Sequence, residues 1–146
     1  MAKLCELIKG LNALEISGGT DVEVTSVEID SRQVSAGSVF IAINGTTQDG
    51  HKYIDSAVSK GAVAIVCERM PDNMDPAVSY VRFDNTESVA GNIATRFFGD
   101  PTSKLELVGV TGTNGKTTIA TLLYEMFRKF GYKCGLLSTV CNYIDG

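Results

Sequence analysis

The sequence lacks the features that mark several large classes of protein. None of its apolar runs is long enough to span a bilayer, and residues 1–14 contain neither the continuous apolar core nor the small-residue cleavage site of a signal peptide. The formal net charge is -4, so bulk attraction to a nucleic acid or to an anionic membrane is excluded. We therefore expect a cytoplasmic protein with no membrane partner, no nucleic-acid partner and no evident obligatory protein partner.

The cysteines and the histidine form no recognisable metal-binding, disulfide or catalytic pattern. The four cysteines, Cys5, Cys67, Cys134 and Cys141, include no C-x-x-C pair, which argues against a zinc site and a disulfide framework and fits a reducing compartment. His51 is the only histidine, and no partner spacing supports its use in a Ser-His-Asp triad. We interpret His51 as a surface or loop-packing residue, not as a catalytic base.

The composition is that of a globular chain with a boundary near its middle. Apolar residues make up 44% of the 146 residues, which is enough for a packed core. The sequence contains no internal repeat and no low-complexity tract, and its clearest linker is Gly99-Asp100-Pro101-Thr102-Ser103. We predict two domains, residues 1–103 and residues 104–146.

Residues 1–103 alternate between helical and strand patterns. The segment 62–67 is a continuous apolar run, as in a buried parallel strand, and this predicts an α/β domain with a mostly parallel or mixed sheet. Strands are predicted at 22–30, 38–43, 62–67 and 78–83; helices are predicted around Leu4–Leu11, around Ile54–Val58 before Gly61, and over Val89–Phe98 with Asn85 or Thr86 as the cap and Gly99 as the stop.

Residues 104–146 predict the first βαβ unit of a P-loop NTPase-like domain. A strand at 105–110, a glycine-rich turn at 111–115, an apolar helical stripe from Ile119 to Phe130 and a strand at 133–140 follow one another. Because one βαβ unit cannot cover both faces of a parallel sheet, we expect this second domain to be incomplete.

The turn between that strand and helix carries the chemistry. It reads Gly112-Thr113-Asn114-Gly115-Lys116-Thr117-Thr118. Glycines let backbone N–H groups turn inward around phosphate oxygens, and a helix N-terminus favours an anion. Lys116 is predicted to reach the β- and γ-phosphates of a nucleotide, and the hydroxyl of Thr117 is predicted to ligate Mg²⁺.

This phosphate loop is a variant of the common pattern. Val110 stands where that pattern has its first glycine, and the spacing of Gly109, Gly112 and Gly115 does not match the dinucleotide fingerprint. The alternative is an ordinary strand-to-helix turn. The loop alone does not name the acceptor of the phosphoryl group, since kinases, GTPases and ligases all use such loops.

Residues 110–118 resemble the ATP loop of the Mur ligases and of their folylpolyglutamate synthetase relatives, which use this same variant. The first domain resembles that of the Mur ligases that add the third or later peptide residues, and folylpolyglutamate synthetases lack this block. The segment 135–140 is more similar to the third-residue-adding members than to the final-step members. The matching positions in the first domain are Asp30-Ser31-Arg32, Gly37, Phe40-Ile41-Ala42, Gly45, Asp49-Gly50-His51 and Tyr53.

The resemblance implies an ATP- and Mg²⁺-dependent amide ligase of peptidoglycan precursor synthesis. Such an enzyme adds meso-diaminopimelate or L-lysine to UDP-N-acetylmuramoyl-L-alanyl-D-glutamate through an acyl phosphate, with Lys116 offsetting charge on the transferring group. The same resemblance implies that the first domain holds the UDP end of the substrate. Its implied contacts are Ile29, Ser31, Thr46, Thr47 and Gln48.

Several alternatives stay open on the sequence alone. For Asp30 and Arg32, which belong to the matching block, the alternative is a purely structural role, in which they pair with each other or cap a strand end. Lys60 is expected to lie far from the site. The chain could be a stand-alone UDP-sugar-binding module with a vestigial loop, a small-molecule kinase, or part of the final-step ligase that adds D-alanyl-D-alanine. The resemblance places the amino-acid pocket and a second metal ligand beyond Gly146, so we expect the chain alone to be inactive.

Overall fold

The computed structural model describes residues 1–45 and 48–144. It divides into two compact units, Met1–Leu105 and Glu106–Gly146, and this division lies close to the linker in the sequence. Among the described residues, no helix has the length and apolar character that crossing a membrane requires.

A five-stranded mixed sheet forms the centre of the first unit. Its spatial order is β2-β7-β6-β5-β4, in which β2 runs antiparallel to β7 and the other neighbours are parallel. A separate antiparallel pair joins β1 to β3. The strands are β1 (Ala2–Lys3), β2 (Glu15–Ser17), β3 (Glu23–Val24), β4 (Ser26–Glu28), β5 (Ser38–Ile41), β6 (Ala64–Cys67) and β7 (Ser79–Arg82). The predicted α/β class with a mixed sheet is confirmed.

Helices cover both faces of this sheet. Because side chains alternate along a strand, Val39 and Ile41 of β5 join one apolar cluster while Phe40 joins the other. The first cluster packs against α1 (Leu4–Ile8) and α3 (Thr86–Phe97), and the second packs against α2 (Ile54–Ser59). The strands β5 and β6 are buried along their whole length, as the continuous apolar run at 62–67 predicted.

The ends of the helices follow the predicted signals. Asn85 caps α3, and its side-chain oxygen accepts a hydrogen bond from the backbone N–H of Ser88 at 2.8 Å. Gly61 follows α2 in the left-handed region at φ +93° and lies so close to Ala36 that a Cβ would be 3.0 Å from its Cα. Glycine therefore both ends α2 and permits the close approach of the segment before β5.

Three details of the first unit differ from the sequence prediction. The segment 22–30 is not one strand, because the chain breaks at Thr25 and β3 and β4 pair with different partners. Helix α1 ends before Leu11, since Gly10 adopts a left-handed conformation at φ +70°. The strand β2 was not predicted, because a three-residue segment with one apolar residue gives no periodic signal.

Over residues 106–144, the second unit forms one helix and one hairpin. Helix α4 spans Lys116–Lys129, and β8 (Gly135–Leu137) pairs antiparallel with β9 (Asn142–Ile144). The predicted strand at 105–110 is not formed. No described strand pairs with that segment, and its apolar side chains Leu105, Leu107 and Val108 are exposed.

The predicted strand at 133–140 is shortened to β8 for a local reason. The Ser138 hydroxyl donates to the Cys141 carbonyl at 2.8 Å and accepts from the Cys141 N–H at 3.1 Å. These bonds turn the chain back on itself, so that β8 continues into a hairpin and not along a parallel sheet. The second unit thus retains the predicted helix but not the predicted βαβ arrangement.

Candidate nucleotide-binding sites

The phosphate loop of the second unit has the backbone conformation that its glycines allow. Gly112 and Gly115 have φ values of +144° and +76°, which lie in the region that favours glycine. An added Cβ at Gly115 would meet no atom within 4 Å, so the backbone conformation and not packing requires glycine there. The loop residues 111–116 are exposed, as a site for a soluble ligand requires.

Helix α4 presents an open N-terminus to this loop. Gly115 is its cap residue and forms no side-chain cap, while the first helical bond runs from the Ile119 N–H to the Gly115 carbonyl at 2.9 Å. The N–H groups of residues 116–118 therefore have no partner inside the helix. These groups and the helix dipole favour a negatively charged ligand at this end.

Lys116 folds back over the phosphate loop. Its Nζ donates to the Gly112 carbonyl at 2.5 Å and lies 3.4 Å from the Thr113 carbonyl. The ammonium group is thereby held against the backbone of the loop, at the start of α4. One full positive charge and several free N–H donors therefore occur within one short segment of the chain.

The donor set at the loop limits how a metal ion could bind. The described residues contain no cluster of three or more histidine, cysteine or acidic side chains that could hold one. The half-buried Thr117 offers one hydroxyl oxygen in the first turn of α4. One protein oxygen completed by phosphate oxygens and water suits Mg²⁺ better than an all-protein cage would.

The predicted substrate contacts of the first unit lie on loops that follow strands. Ile29 comes directly after β4 and is 63% exposed, and Ser31 is two residues further on. Gln48 lies in the loop after β5, where its Oε1 accepts from the Tyr53 hydroxyl at 3.3 Å. Because β4 and β5 are parallel neighbours, their carboxyl ends meet at one edge of the sheet. Thr46 and Thr47 lie outside the described residues.

Asp30 and Arg32 pair with each other, which is one of the structural roles considered for these residues. The Arg32 Nη2 donates to Asp30 Oδ2 at 2.6 Å, and the Arg32 backbone N–H donates to Asp30 Oδ1 at 2.9 Å. The side-chain hydrogen bond from Arg32 is the largest cause that lowers the pKa of Asp30 to about 2. The pair fixes the turn that carries Ser31.

Lys60 contacts the segment from which it was expected to be remote. Its Nζ donates to the Ser31 carbonyl at 2.7 Å. The expectation was wrong because the connection between β4 and β5 crosses the face of the sheet that α2 covers, where Val34 is buried beside Ala57. Ser31 therefore lies within reach of the long side chain at the end of α2.

A polar network that the sequence did not predict ties together the loops after β5, β6 and β7. Asp49 accepts from His51 and from Arg69, His51 accepts from the Glu68 N–H, and Glu68 accepts from Thr86. The Asp49–His51 spacing was a visible signal of a local turn. Its connection to Glu68, 17 residues after His51, requires the fold and could not be derived from spacing.

Two family models match this chain. One, described as Mur ligase family, catalytic domain, matches residues 23–98, and the other, described as Mur ligase middle domain, matches residues 110–145. The chain belongs to the Mur ligase family. The two matches in this Mur ligase chain fall on either side of the division between its compact units.

Sequence relatives narrow the position within the Mur ligases. The UDP-N-acetylmuramoyl-L-alanyl-D-glutamate--2,6-diaminopimelate ligase of Phocaeicola vulgatus is 58% identical over 143 residues, which is 98% of this chain and 30% of the relative. The resemblance to the third-residue-adding members is confirmed. The chain spans about 30% of the length of the curated relatives that it matches.

Solved structures agree with the fold. A UDP-N-acetylmuramoyl-L-alanyl-D-glutamate--2,6-diaminopimelate ligase matches 98% of this Mur ligase chain and 28% of its own, with a TM-score of 0.76 and 23% identity. The MurF ligase from Thermotoga maritima in complex with ADP matches 74% of this chain and 24% of its own, with a TM-score of 0.54 and 30% identity.

Proposed function

We propose that this chain is the N-terminal part of an ATP-dependent amide ligase that adds 2,6-diaminopimelate to UDP-N-acetylmuramoyl-L-alanyl-D-glutamate. The observation that carries the proposal is the 58% identity to a ligase of that name across 98% of the chain. The phosphate loop supports it, since an open helix N-terminus, a folded-back lysine and glycines in the required conformation occur together. A MurF ligase of similar fold binds ADP.

The chemistry of the proposed reaction explains why a phosphate loop is needed. A carboxylate is a poor electrophile, because its negative charge disfavours attack by the lone pair of an amine and because it has no good leaving group. Transfer of the terminal phosphoryl group of ATP to this carboxylate, with release of ADP, creates an acyl phosphate. The amine of the incoming amino acid can then attack its carbonyl carbon, which forms the amide with loss of phosphate and a proton. A site that stabilises the charge on the transferring phosphoryl group therefore accelerates the first step.

In this proposal different residues of the loop bind the phosphates, shape the backbone turn and hold the metal ion. Phosphate oxygens are bound by the backbone N–H groups of residues 112–118, which include Gly112, Thr113, Asn114 and Thr118. When the nucleotide binds, the Lys116 ammonium group leaves the Gly112 and Thr113 carbonyls and bonds to the terminal phosphates. Gly115 gives the backbone its turn into α4. Thr117 would hold Mg²⁺, which when bound supplies positive charge to the phosphate oxygens.

The first unit is proposed to hold the UDP end of the substrate. Ile29 offers an exposed apolar surface for the uracil ring, and Ser31 offers a hydroxyl on a turn fixed by the Asp30–Arg32 pair. Gln48, together with Thr46 and Thr47, would complete the contacts from the neighbouring loop. The carboxyl edge of parallel strands is where open α/β sheets ordinarily bind ligands.

The first prediction tests the phosphate loop. In the full-length ligase that contains this chain, Lys116→Ala is expected to lower kcat by roughly 100-fold or more, because it removes a full charge from the transferring phosphoryl group. The fold is expected to survive, since Lys116 is exposed. Steady-state measurement of phosphate release, with Lys129→Ala at the exposed far end of α4 as the matched control, would check it. Activity within a few-fold of the parent would contradict the role of Lys116.

A further inference from the structure

The imidazole of His51 is held between two groups with opposite hydrogen-bonding roles. On one side, Nδ1 lies 2.6 Å from Asp49 Oδ1, and that same oxygen accepts from the His51 backbone N–H at 3.0 Å. On the other side, the backbone N–H of Glu68 donates to Nε2 at 2.9 Å. The side chain of His51 is only 9% exposed, so water does not replace these partners easily.

This geometry is compatible with one protonation state of the ring. A backbone N–H can only donate, so Nε2 must present its lone pair to Glu68 and carries no proton. The proton of the neutral ring is then on Nδ1, where the carboxylate of Asp49 accepts it. Arg69 donates to the other oxygen of Asp49, and this ion pair favours a charged carboxylate opposite Nδ1–H.

His51 connects the root of one loop to the end of another strand. The loop after β5 is closed by the pairing of Asn44 with Asp49, by the Gly45 N–H bonded to the Gln48 carbonyl at 3.0 Å, and by the Gly50 N–H bonded to the Ile43 carbonyl at 2.8 Å. His51 follows this closure directly and bonds to the first residue after β6. The position of Gln48 relative to the sheet thus depends on the imidazole.

Glu68 extends the connection to a third loop. Its Oε1 accepts from the Thr86 N–H at 3.0 Å, and the Thr86 hydroxyl lies 2.9 Å from the Ala42 carbonyl. The loops after β5, β6 and β7 are therefore linked at the carboxyl edge of the sheet.

We propose that His51, as the neutral Nδ1–H tautomer, is a positioning residue that holds Gln48 in place to contact UDP. This inference rests on the proposed UDP-binding role of the first unit. His51 itself does not touch the reacting atoms. It acts by fixing Asp49 and the described ends of the loop, residues 44–45 and 48–50, so that Gln48 is held in place before the nucleotide binds.

The tautomer can be measured directly on the chain of 146 residues. Because His51 is the only histidine, every imidazole ¹⁵N resonance belongs to it without further assignment. We expect a protonated Nδ1 and a lone-pair Nε2 near neutral pH, with slow exchange of the Glu68 N–H. A ring protonated on Nε2, or a rapidly averaging mixture of tautomers, would overturn the inference.

Two substitutions separate the two sides of the ring. The amide of His51→Asn can replace the donor near Nδ1 but cannot reach the Glu68 N–H, whereas the amide oxygen of His51→Gln can reach it. UDP titrations followed by amide NMR shifts should show about five-fold weaker binding for His51→Asn, the equivalent of one lost hydrogen bond. His51→Gln should stay within about two-fold of the parent, and Lys52→Ala, an exposed neighbour, should match the parent.

The outcomes distinguish this inference from the function on which it rests. If the parent binds UDP and a folded His51→Asn binds it equally well, the positioning role is overturned while UDP binding stands. If His51→Asn fails to fold, the role is decided by the ring itself: a protonated Nδ1 with a slowly exchanging Glu68 N–H supports it, and a ring protonated on Nε2 contradicts it. If the parent shows no UDP-induced shifts, the proposed role of the first unit fails, and the positioning role fails with it even if the tautomer is as expected.

Discussion

At the scale of single residues, the pairing of Asp30 with Arg32 makes a measurable electrostatic prediction. The side-chain hydrogen bond from Arg32 lowers the pKa of Asp30 from 3.8 to about 2. Because the folded pKa is depressed, the pair contributes stability above the unfolded pKa and loses it as the pH falls through about 2. An NMR titration of the Asp30 carboxyl carbon should therefore give a midpoint near 2.

The matched variant for this titration is Arg32→Gln. Removing the guanidinium should return the pKa of Asp30 toward 3.8, while the backbone N–H of residue 32 keeps part of the depression. An unchanged midpoint in Arg32→Gln would show that the ion pair is not the cause. Both groups are solvent-exposed, so we expect the effect on global stability to be small.

Residue-scale prediction from the sequence succeeded for local features and failed for contacts between distant residues. The phosphate loop could be located because its glycines, lysine and threonines are contiguous, although its function remains a proposal. The contact of Lys60 with Ser31 and the contact of His51 with Glu68 were missed because they join segments 29 and 17 residues apart. Such contacts depend on how the connections cross the sheet.

At the scale of elements, the cap of α3 gives a prediction about the stability of the first unit. Asn85→Ala removes the acceptor for the Ser88 N–H and should lower the free energy of unfolding of the first unit by about 1 kcal/mol. Urea unfolding followed by circular dichroism would measure the change. Asn85→Asp preserves a capping oxygen and should remain close to the parent, so an equal loss in both variants would show that capping is not responsible.

The reliability of the element predictions follows from burial. Strands β5, β6 and β7 and helices α2 and α3 were found because their apolar patterns reflect faces that are buried in this structure. The prediction of a strand at 105–110 was wrong. An apolar alternating segment forms a strand only where another strand pairs with it, and no described strand pairs with this one. Sequence pattern alone does not reveal whether the partner is present.

At the scale of the whole molecule, the first unit should be an independent folding unit. Residues 1–105 contain the five-stranded sheet, both apolar clusters and all three helices that cover the sheet. We expect this segment to unfold cooperatively. It should bind UDP with roughly millimolar affinity, because it makes fewer contacts than the full-length protein makes with its whole substrate. Two or three fewer hydrogen bonds weaken binding by roughly 30- to 150-fold. UDP titration with amide NMR would measure affinity and location together.

The same titration includes a substitution at the proposed site and one away from it. Ser31→Ala should weaken UDP binding by removing a hydroxyl, and shifts should cluster around Ile29, Ser31 and Gln48. Lys9→Ala, an exposed change after α1, should have no effect. Lys60 is unsuitable as a control because it contacts Ser31. Shifts that cluster elsewhere would contradict the assignment of the UDP site but would leave the phosphate loop untouched.

The pairing of β2 with β7 has a consequence for how the first unit folds. Residues 15–17 find their strand partner only at residues 80–82, so this edge of the sheet closes a loop that contains most of the unit. The other sheet pairs, β4 with β5, β5 with β6 and β6 with β7, join segments that are closer in sequence. Loop closure therefore costs the most entropy at β2, and we expect this strand to dock after the parallel core has assembled, in a reaction slower than that of a helical bundle of equal length.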